Sequence, residues 1–166
     1  MSRNAPTAAP RLDELDAPAL AAIRALLAQA PRMHGYYLTR LIAADPVAGV
    51  DDAPRLDRLF EQLDDQPWPP PSERPADPGA DCQVDEATAA AHAVAMLVGG
   101  ADVGHARDTI APATAASLWT QFRALFSPSA RCFIGLGLGD PAHVFQRGVA
   151  VVDHSRAGYL GVIESD

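Results

Sequence analysis

Cys82 and His143 are the two side chains whose types and placement best suit a chemical step. A cysteine attacks as its thiolate, and its pKa falls at a helix N-terminus or beside an imidazole. Cys82 shortly precedes an alanine-rich segment, and His143 opens an apolar, strand-like run 61 residues later. We therefore predict a nucleophile and base pair made of Cys82 and His143.

A carboxylate that orients the histidine is the usual third member of such a pair. A strand antiparallel to the one that begins at His143 would end near Glu164 and Asp166, so these two residues are the candidates. Asp153 lies at the far end of the histidine's own strand and is placed less well.

The helix that follows Cys82 is predicted from its alanine-rich run, which Gly99 and Gly100 end. Either Asp81 or Asp85 suits the N-cap position. The choice between them decides whether Cys82 lies in the first turn of this helix or just outside it.

The last third of the chain contains three apolar, β-branched runs separated by turn-forming residues. The first starts at Arg131, the second is opened by His143, and the third starts at Gly158. This pattern predicts three short antiparallel strands. A further helix from about Ala113 to Phe126 is predicted to precede them.

Apolar residues at helical spacing predict three helices in the first part of the chain. The first covers about 17–29, the second contains Met33 to Ile42, and the third covers 54–63. We expect an α+β fold in which the cysteine helix packs on a small antiparallel sheet. The predicted divisions are a disordered tail over 1–10, a helical region over 11–65, a proline-rich linker over 66–80 and an α+β domain over 81–166.

The order of these features resembles the papain-like fold. The segment Ala142-His143-Val144-Phe145-Gln146, with the apolar runs at Val149-Ala-Val-Val and Tyr159-Leu-Gly-Val-Ile, is similar to the Gly-His-Val-Phe-Asn motif and following strand of papain-fold toxin domains. These domains occur in bacterial polymorphic toxins and in related glutamine-deamidating effectors. The resemblance covers roughly residues 80–166, and Ala142 and Gln146 replace the glycine and asparagine of the motif.

This resemblance implies a cysteine-dependent amidohydrolase that acts on a protein amide, as a glutamine deamidase rather than a protease, in a bacterial toxin or effector. Cys82 would be the nucleophile, His143 its base and later acid, and Glu164 or Asp166 the orienting carboxylate. Backbone amides near Cys82 would form the oxyanion hole, and Gln83 or Gln146 would help to polarise the carbonyl. No cofactor is implied, and the cysteines and histidines lack the close pairs that zinc sites use, so we expect no metal.

Charge and composition favour a protein as the partner. The net charge of −8 at pH 7 argues against nucleic acid or an anionic membrane as the main partner. All 13 basic residues are arginine, and none is lysine. It has no 18-residue apolar run and no signal-peptide core, so we expect a bacterial cytoplasmic protein, or one exported without a cleaved signal. The alternative function is a non-enzymatic acidic binding protein, such as an immunity protein, antitoxin or secretion chaperone. Its basic partner would face Asp51, Asp52, Asp64 and Asp65.

Overall fold

The computed structural model describes residues 17–30, 35–43, 52–61, 82–100, 110–136 and 144–165. Within these ranges the chain forms four helices and five strands, so the predicted α+β class is confirmed. The elements are α1 (Pro18–Ala28), β1 (Gly35–Ala43), α2 (Asp52–Glu61), β2 (Gln83–Val84), α3 (Glu86–Gly99), α4 (Pro112–Arg123), β3 (Arg131–Ile134), β4 (Val144–Val152) and β5 (Arg156–Ser165).

The five strands form one antiparallel sheet in the order β1-β5-β4-β3-β2. The predicted antiparallel succession of β3, β4 and β5 is confirmed. β1 and β2 extend this meander at its two edges, and β1 pairs with β5 along nine residues. Elements of the predicted helical region, 11–65, therefore pack into the same body as those that follow residue 81. The predicted tail, 1–10, and linker, 66–80, lie outside the described residues.

The second helix predicted from the sequence is wrong, because most of its residues form strand β1. The apolar residues Tyr37, Leu41 and Ile42 fit a helical period, but Leu38 and Ile42 pack on one face of the sheet and Tyr37 and Leu41 on the other. Both faces of β1 are covered, so the strand shows no alternation of apolar and polar residues. The other predicted helices correspond to α1, α2, α3 and α4.

Helices cover the sheet on both sides. We call the side covered by α1, α3 and α4 the helical face, and the side covered by α2 the α2 face. Side chains of each strand alternate between them, so Val149 and Val151 contact the helical layer while Ala150 and Val152 contact the α2 layer. The result is a three-layer sandwich with an apolar cluster on each side of the sheet.

The turn between β4 and β5 is fixed by the buried carboxylate of Asp153. Its Oδ1 accepts hydrogen bonds from the backbone N–H groups of Ser155 and Arg156, and its Oδ2 accepts one from Ser127 at 2.8 Å. Arg55 of α2 donates to the Asp153 carbonyl. One residue thus connects the turn to elements on both sides of the sheet.

None of the helices in the described ranges combines the length and apolar character needed to cross a bilayer.

Candidate functional site

Cys82 lies outside the helix that was predicted to activate it. Asp85 is the N-cap of α3, and its side chain accepts a hydrogen bond from the Thr88 N–H at 2.7 Å. Strand β2 separates Cys82 from this helix. The field of a helix terminus acts mainly within its first turn, so α3 offers Cys82 little help in forming a thiolate.

The Cys82 side chain is partly buried and packs against the apolar cluster of the α2 face. Glu164 of β5 is 6% exposed. Because side chains alternate along a strand, Glu164 lies on the face opposite to Ile163 of the α2-face cluster and on the same, helical face as Val162. The structure therefore places Cys82 and Glu164 on opposite sides of the sheet.

The sheet register also separates these two residues within the plane of the sheet. The residue pairs that link β2 to β3, β3 to β4 and β4 to β5 align Gln83 with Tyr159 of β5, so the two residues lie at the same position along their strands. Three strand spacings, about 14 Å, lie between β2 and β5, and the five residues from Tyr159 to Glu164 add about 17 Å along the strand. Glu164 is thus far outside hydrogen-bonding range of a group at Cys82.

The structure describes two of the four remaining predicted site residues. Gln83 is exposed on β2, beside Cys82, and Gln146 belongs to β4, where its backbone pairs with Ile163. His143 and Asp166 lie outside the described residues, so the pairing of Cys82 with His143 stays a prediction.

The second cysteine, Cys132, is a buried core thiol on the helical face. Burial raises the pKa of Cys132 to about 11, the opposite of what a nucleophile requires. Cys82 and Cys132 do not form a disulfide. In the described ranges no group of three or more His, Cys, Asp and Glu side chains is arranged to hold a metal ion.

Asp52 is the described member of the four aspartates that were expected to face a basic partner. Two nitrogens of the Arg131 guanidinium donate to its two carboxylate oxygens. This ion pair connects the start of α2 to β3, so the charge of Asp52 is largely compensated within the fold. Asp51, Asp64 and Asp65 lie outside the described residues.

The outer surface of the helical layer contains an apolar groove of about 590 Å³ between α3 and α4. We call it the α3–α4 groove. Val94 and Val98 of α3 and Trp119 of α4 supply its large side chains, and most of the rest of its lining is alanine, including Ala91, Ala95 and Ala116. Because these alanines are exposed and short, the two helices leave space that no side chain of the layer fills.

The two helices that form this groove carry almost no charge. No Asp, Glu, Lys or Arg occurs from Ala87 to Gly100 or from Ile110 to Phe122. Burial, together with the nearby Arg147 charge, lowers the pKa of His92, the one histidine of α3, and favours its neutral form. The groove surface is therefore uncharged along its length.

One end of the α3–α4 groove carries negative charge. Glu86 lies one helical turn before Ala90 of the groove lining, and its carboxylate accepts a hydrogen bond from Arg123 of α4 at 2.9 Å. The Glu86 side chain is 57% exposed, whereas that of Arg123 is 12% exposed. Asp85 beside it is also exposed. The charge that solvent or a partner meets at this end is thus mainly that of carboxylates.

Two features of the sequence indicate this groove, although neither contains a catalytic side chain. One is the long uncharged interval on two successive helices, and the other is the pattern of alanines on the same side of α3 as Val94.

No protein-family model matches the chain, and neither the curated proteins nor the solved structures include a match.

Proposed function

We propose that this chain is a non-enzymatic binding protein whose α3–α4 groove receives an amphipathic helix of a basic partner protein. The single observation that carries the proposal is the groove itself, an apolar and uncharged depression on the outside of the helical layer. Apolar grooves of this kind are one recurring type of receptor for the apolar face of an amphipathic helix.

The groove lining indicates the kind of side chains that the partner brings. Alanines such as Ala91, Ala95 and Ala116 leave volume that is filled only by longer apolar side chains, such as leucine, phenylalanine or methionine. A second copy of this chain offers the same short side chains at this surface and would leave the volume empty. The expected occupant is therefore a different protein, with large apolar residues at helical spacing.

Charge supports a basic partner. The exposed carboxylates of Asp85 and Glu86 border one end of the groove, so a lysine or arginine at the corresponding end of the partner helix finds an opposite charge. The net charge of −8 adds long-range attraction for a basic protein. All of this net negative charge lies outside the described residues, which contain eight arginines and seven carboxylates and so have a net charge of +1.

The proposal is tested with a synthetic basic amphipathic helix that carries leucines at positions i, i+3, i+4 and i+7 and lysines elsewhere. Trp119 lines the groove, so its fluorescence reports occupancy once the second tryptophan is removed by Trp68→Phe. We expect saturable binding that weakens as salt is added. A peptide with the same leucines and glutamates in place of the lysines should bind less tightly.

A matched pair of variants locates the binding. Ala91→Arg places a long cationic side chain in the groove, and Ala25→Arg makes the same exchange at an exposed position of α1. We expect Ala91→Arg to weaken binding by about tenfold or more, equivalent to at least ~1.4 kcal/mol, and Ala25→Arg to bind like the wild type. Equal affinity of the two variants would contradict the proposal, as would the absence of any binding.

A further inference from the structure

Strand β1 forms one edge of the sheet. It pairs with β5 along nine residues, and among the described residues no strand lies on its other side. The outward carbonyl and N–H groups of such an edge are a template for pairing with another chain. A nine-residue edge is long enough for this pairing to matter.

The centre of this edge is occupied by arginine side chains. Thr39 is the middle residue of β1, and the Arg24 side chain of α1 donates from Nη2 to the Thr39 carbonyl at 2.7 Å and from Nε to Thr39 Oγ1 at 2.8 Å. Arg40 donates from Nη1 to the same carbonyl at 3.3 Å. Thr39 as a whole is buried, with 5% of its surface exposed.

The Thr39 carbonyl is a group that an added strand would use. Successive residues of an antiparallel edge strand direct their backbone groups alternately toward the neighbour and away from it. The Arg40 carbonyl points toward β5, since it would lie 3.0 Å from a Cβ placed on Gly158. The preceding carbonyl, that of Thr39, therefore points away from the sheet and is held by the two guanidinium groups.

We infer that Arg24 and Arg40 prevent the β1 edge from pairing with the β1 edge of a second copy of this chain. Antiparallel pairing of two identical strands places a two-fold axis near their middle residue, here Thr39. Near that axis both Thr39 carbonyls already accept hydrogen bonds from guanidinium groups, whose side chains stand where the second strand would have to pair. The β1 edge is therefore closed, and association with other proteins is confined to other surfaces. The contacts that close it are independent of the α3–α4 groove.

The test compares the oligomeric state of the wild type, Arg24→Ala, Arg24→Gln and the double variant Arg24→Ala/Arg40→Ala by light scattering across a concentration series. We expect dimerisation to be strongest in the double variant, with a dissociation constant about tenfold or more below that of the wild type. Arg24→Gln keeps an amide donor for Thr39 without the charge, so it should dimerise less readily than Arg24→Ala.

Hydrogen exchange identifies the surface that pairs. In the dimer of the double variant, the backbone amides of Thr39 and Leu41 should exchange more slowly than in the monomer, while those of α2 should not change. A folded double variant that stays monomeric overturns the inference, and so does a wild type that already pairs through β1. If both alanine variants fail to fold, Arg24→Leu decides the outcome, since it removes the donors to Thr39 but keeps a long side chain. A folded Arg24→Leu variant as monomeric as the wild type would also overturn the inference.

Discussion

The two sides of the sheet use their side chains in opposite ways. Among the described residues, α2 supplies Leu56, Leu59 and Phe60 to the α2 face, and large residues of the sheet pack against them. On the helical face three helices share the covering, and the outer surfaces of α3 and α4 carry mostly alanine, serine and threonine. The α2 side is thus filled, whereas the helical layer leaves a groove on its outside.

Tyr159 shows how completely the α2 face is filled. Its ring is buried, contacts Phe60 edge-to-face at 5.5 Å, and lies over Gly148 and Gly161, which pair with each other across β4 and β5. The glycines provide the space that the ring occupies. Changes on the α2 face should therefore lower stability, whereas changes in the groove should alter binding and leave stability nearly constant.

The largest effect is expected from Gly148→Ala. A Cβ at this position would lie 2.1 Å from Oη and 2.2 Å from Cζ of Tyr159, so the buried ring must move. We expect a loss of about 3 kcal/mol in the free energy of unfolding, measured by chemical denaturation. Gly99→Ala in α3, where nothing lies within 4 Å of an added Cβ, is the control and should be neutral or stabilising. Equal losses for both variants would remove the contrast between the two sides.

Asp153→Asn should have the next largest effect. Both carboxylate oxygens of Asp153 accept hydrogen bonds from backbone N–H groups, so the amide nitrogen of asparagine would face a donor. We expect a loss of about 2 kcal/mol in the free energy of unfolding at pH 7. Asp85→Asn should be nearly neutral, because asparagine is an equally good N-cap.

The same carboxylate should give the protein a characteristic acid sensitivity. Burial raises the pKa of Asp153, but its hydrogen bonds from Ser127, Ser155 and Arg156 lower it by more, so the net pKa lies below the ordinary value. Its stabilisation is therefore present above the unfolded pKa of about 3.9 and is lost as the pH falls through the lower folded pKa. Denaturation of the wild type and Asp153→Asn should accordingly give free energies of unfolding that converge in acid. A constant difference across pH would contradict this assignment.

Tyr159→Phe should change stability by less. Among the described residues the Tyr159 hydroxyl has no hydrogen-bond partner, although it is buried, and its burial raises the pKa of this group. Removing the hydroxyl keeps the ring and its contact with Phe60. We therefore expect the free energy of unfolding, measured by thermal or chemical denaturation, to rise by up to about 1 kcal/mol. A loss of more than about that amount would mean that the hydroxyl is satisfied in solution.

The smallest effect is expected from His143→Ala on the alkylation of Cys82. Cys82 is partly exposed, whereas Cys132 is buried with a pKa of about 11, so iodoacetamide should modify Cys82 first and Cys132 chiefly after unfolding. If the chain is a binding protein, His143→Ala leaves the rate at Cys82 unchanged from acid to alkaline pH. A large decrease in that rate would instead support the cysteine amidohydrolase suggested by the resemblance to papain-fold toxins.

The sequence predicted the elements of this fold better than their arrangement. Antiparallel β3, β4 and β5 follow from β-branched runs and turns, and α3 follows from its alanines and the glycines after it. Strand β1 was missed because Tyr37, Leu41 and Ile42 also fit a helical period, and its pairing with distant β5 decided the outcome. The spacing of apolar residues within a short segment does not show which distant strand that segment pairs with.

The predicted catalytic site could not be assigned correctly without knowing which strands pair and which face each side chain occupies. The sequence placed Glu164 on a strand next to the one that His143 opens, but it did not show on which face the side chain lies or that β2 joins the opposite part of the sheet. Cys82 and Glu164 are separated for these two reasons. The α3–α4 groove likewise depends on how two helices pack, although its lack of charge is visible in the sequence.

The most direct test of the binding proposal is to follow the backbone amide resonances of the protein during titration with the basic amphipathic helix. If the α3–α4 groove is the binding site, the largest shifts occur at residues such as Ala91, Ala95 and Ala116, while the residues of α2 and those around Cys82 keep their positions. Shifts centred on Cys82 and β2, or no saturable shifts at all, would contradict the account.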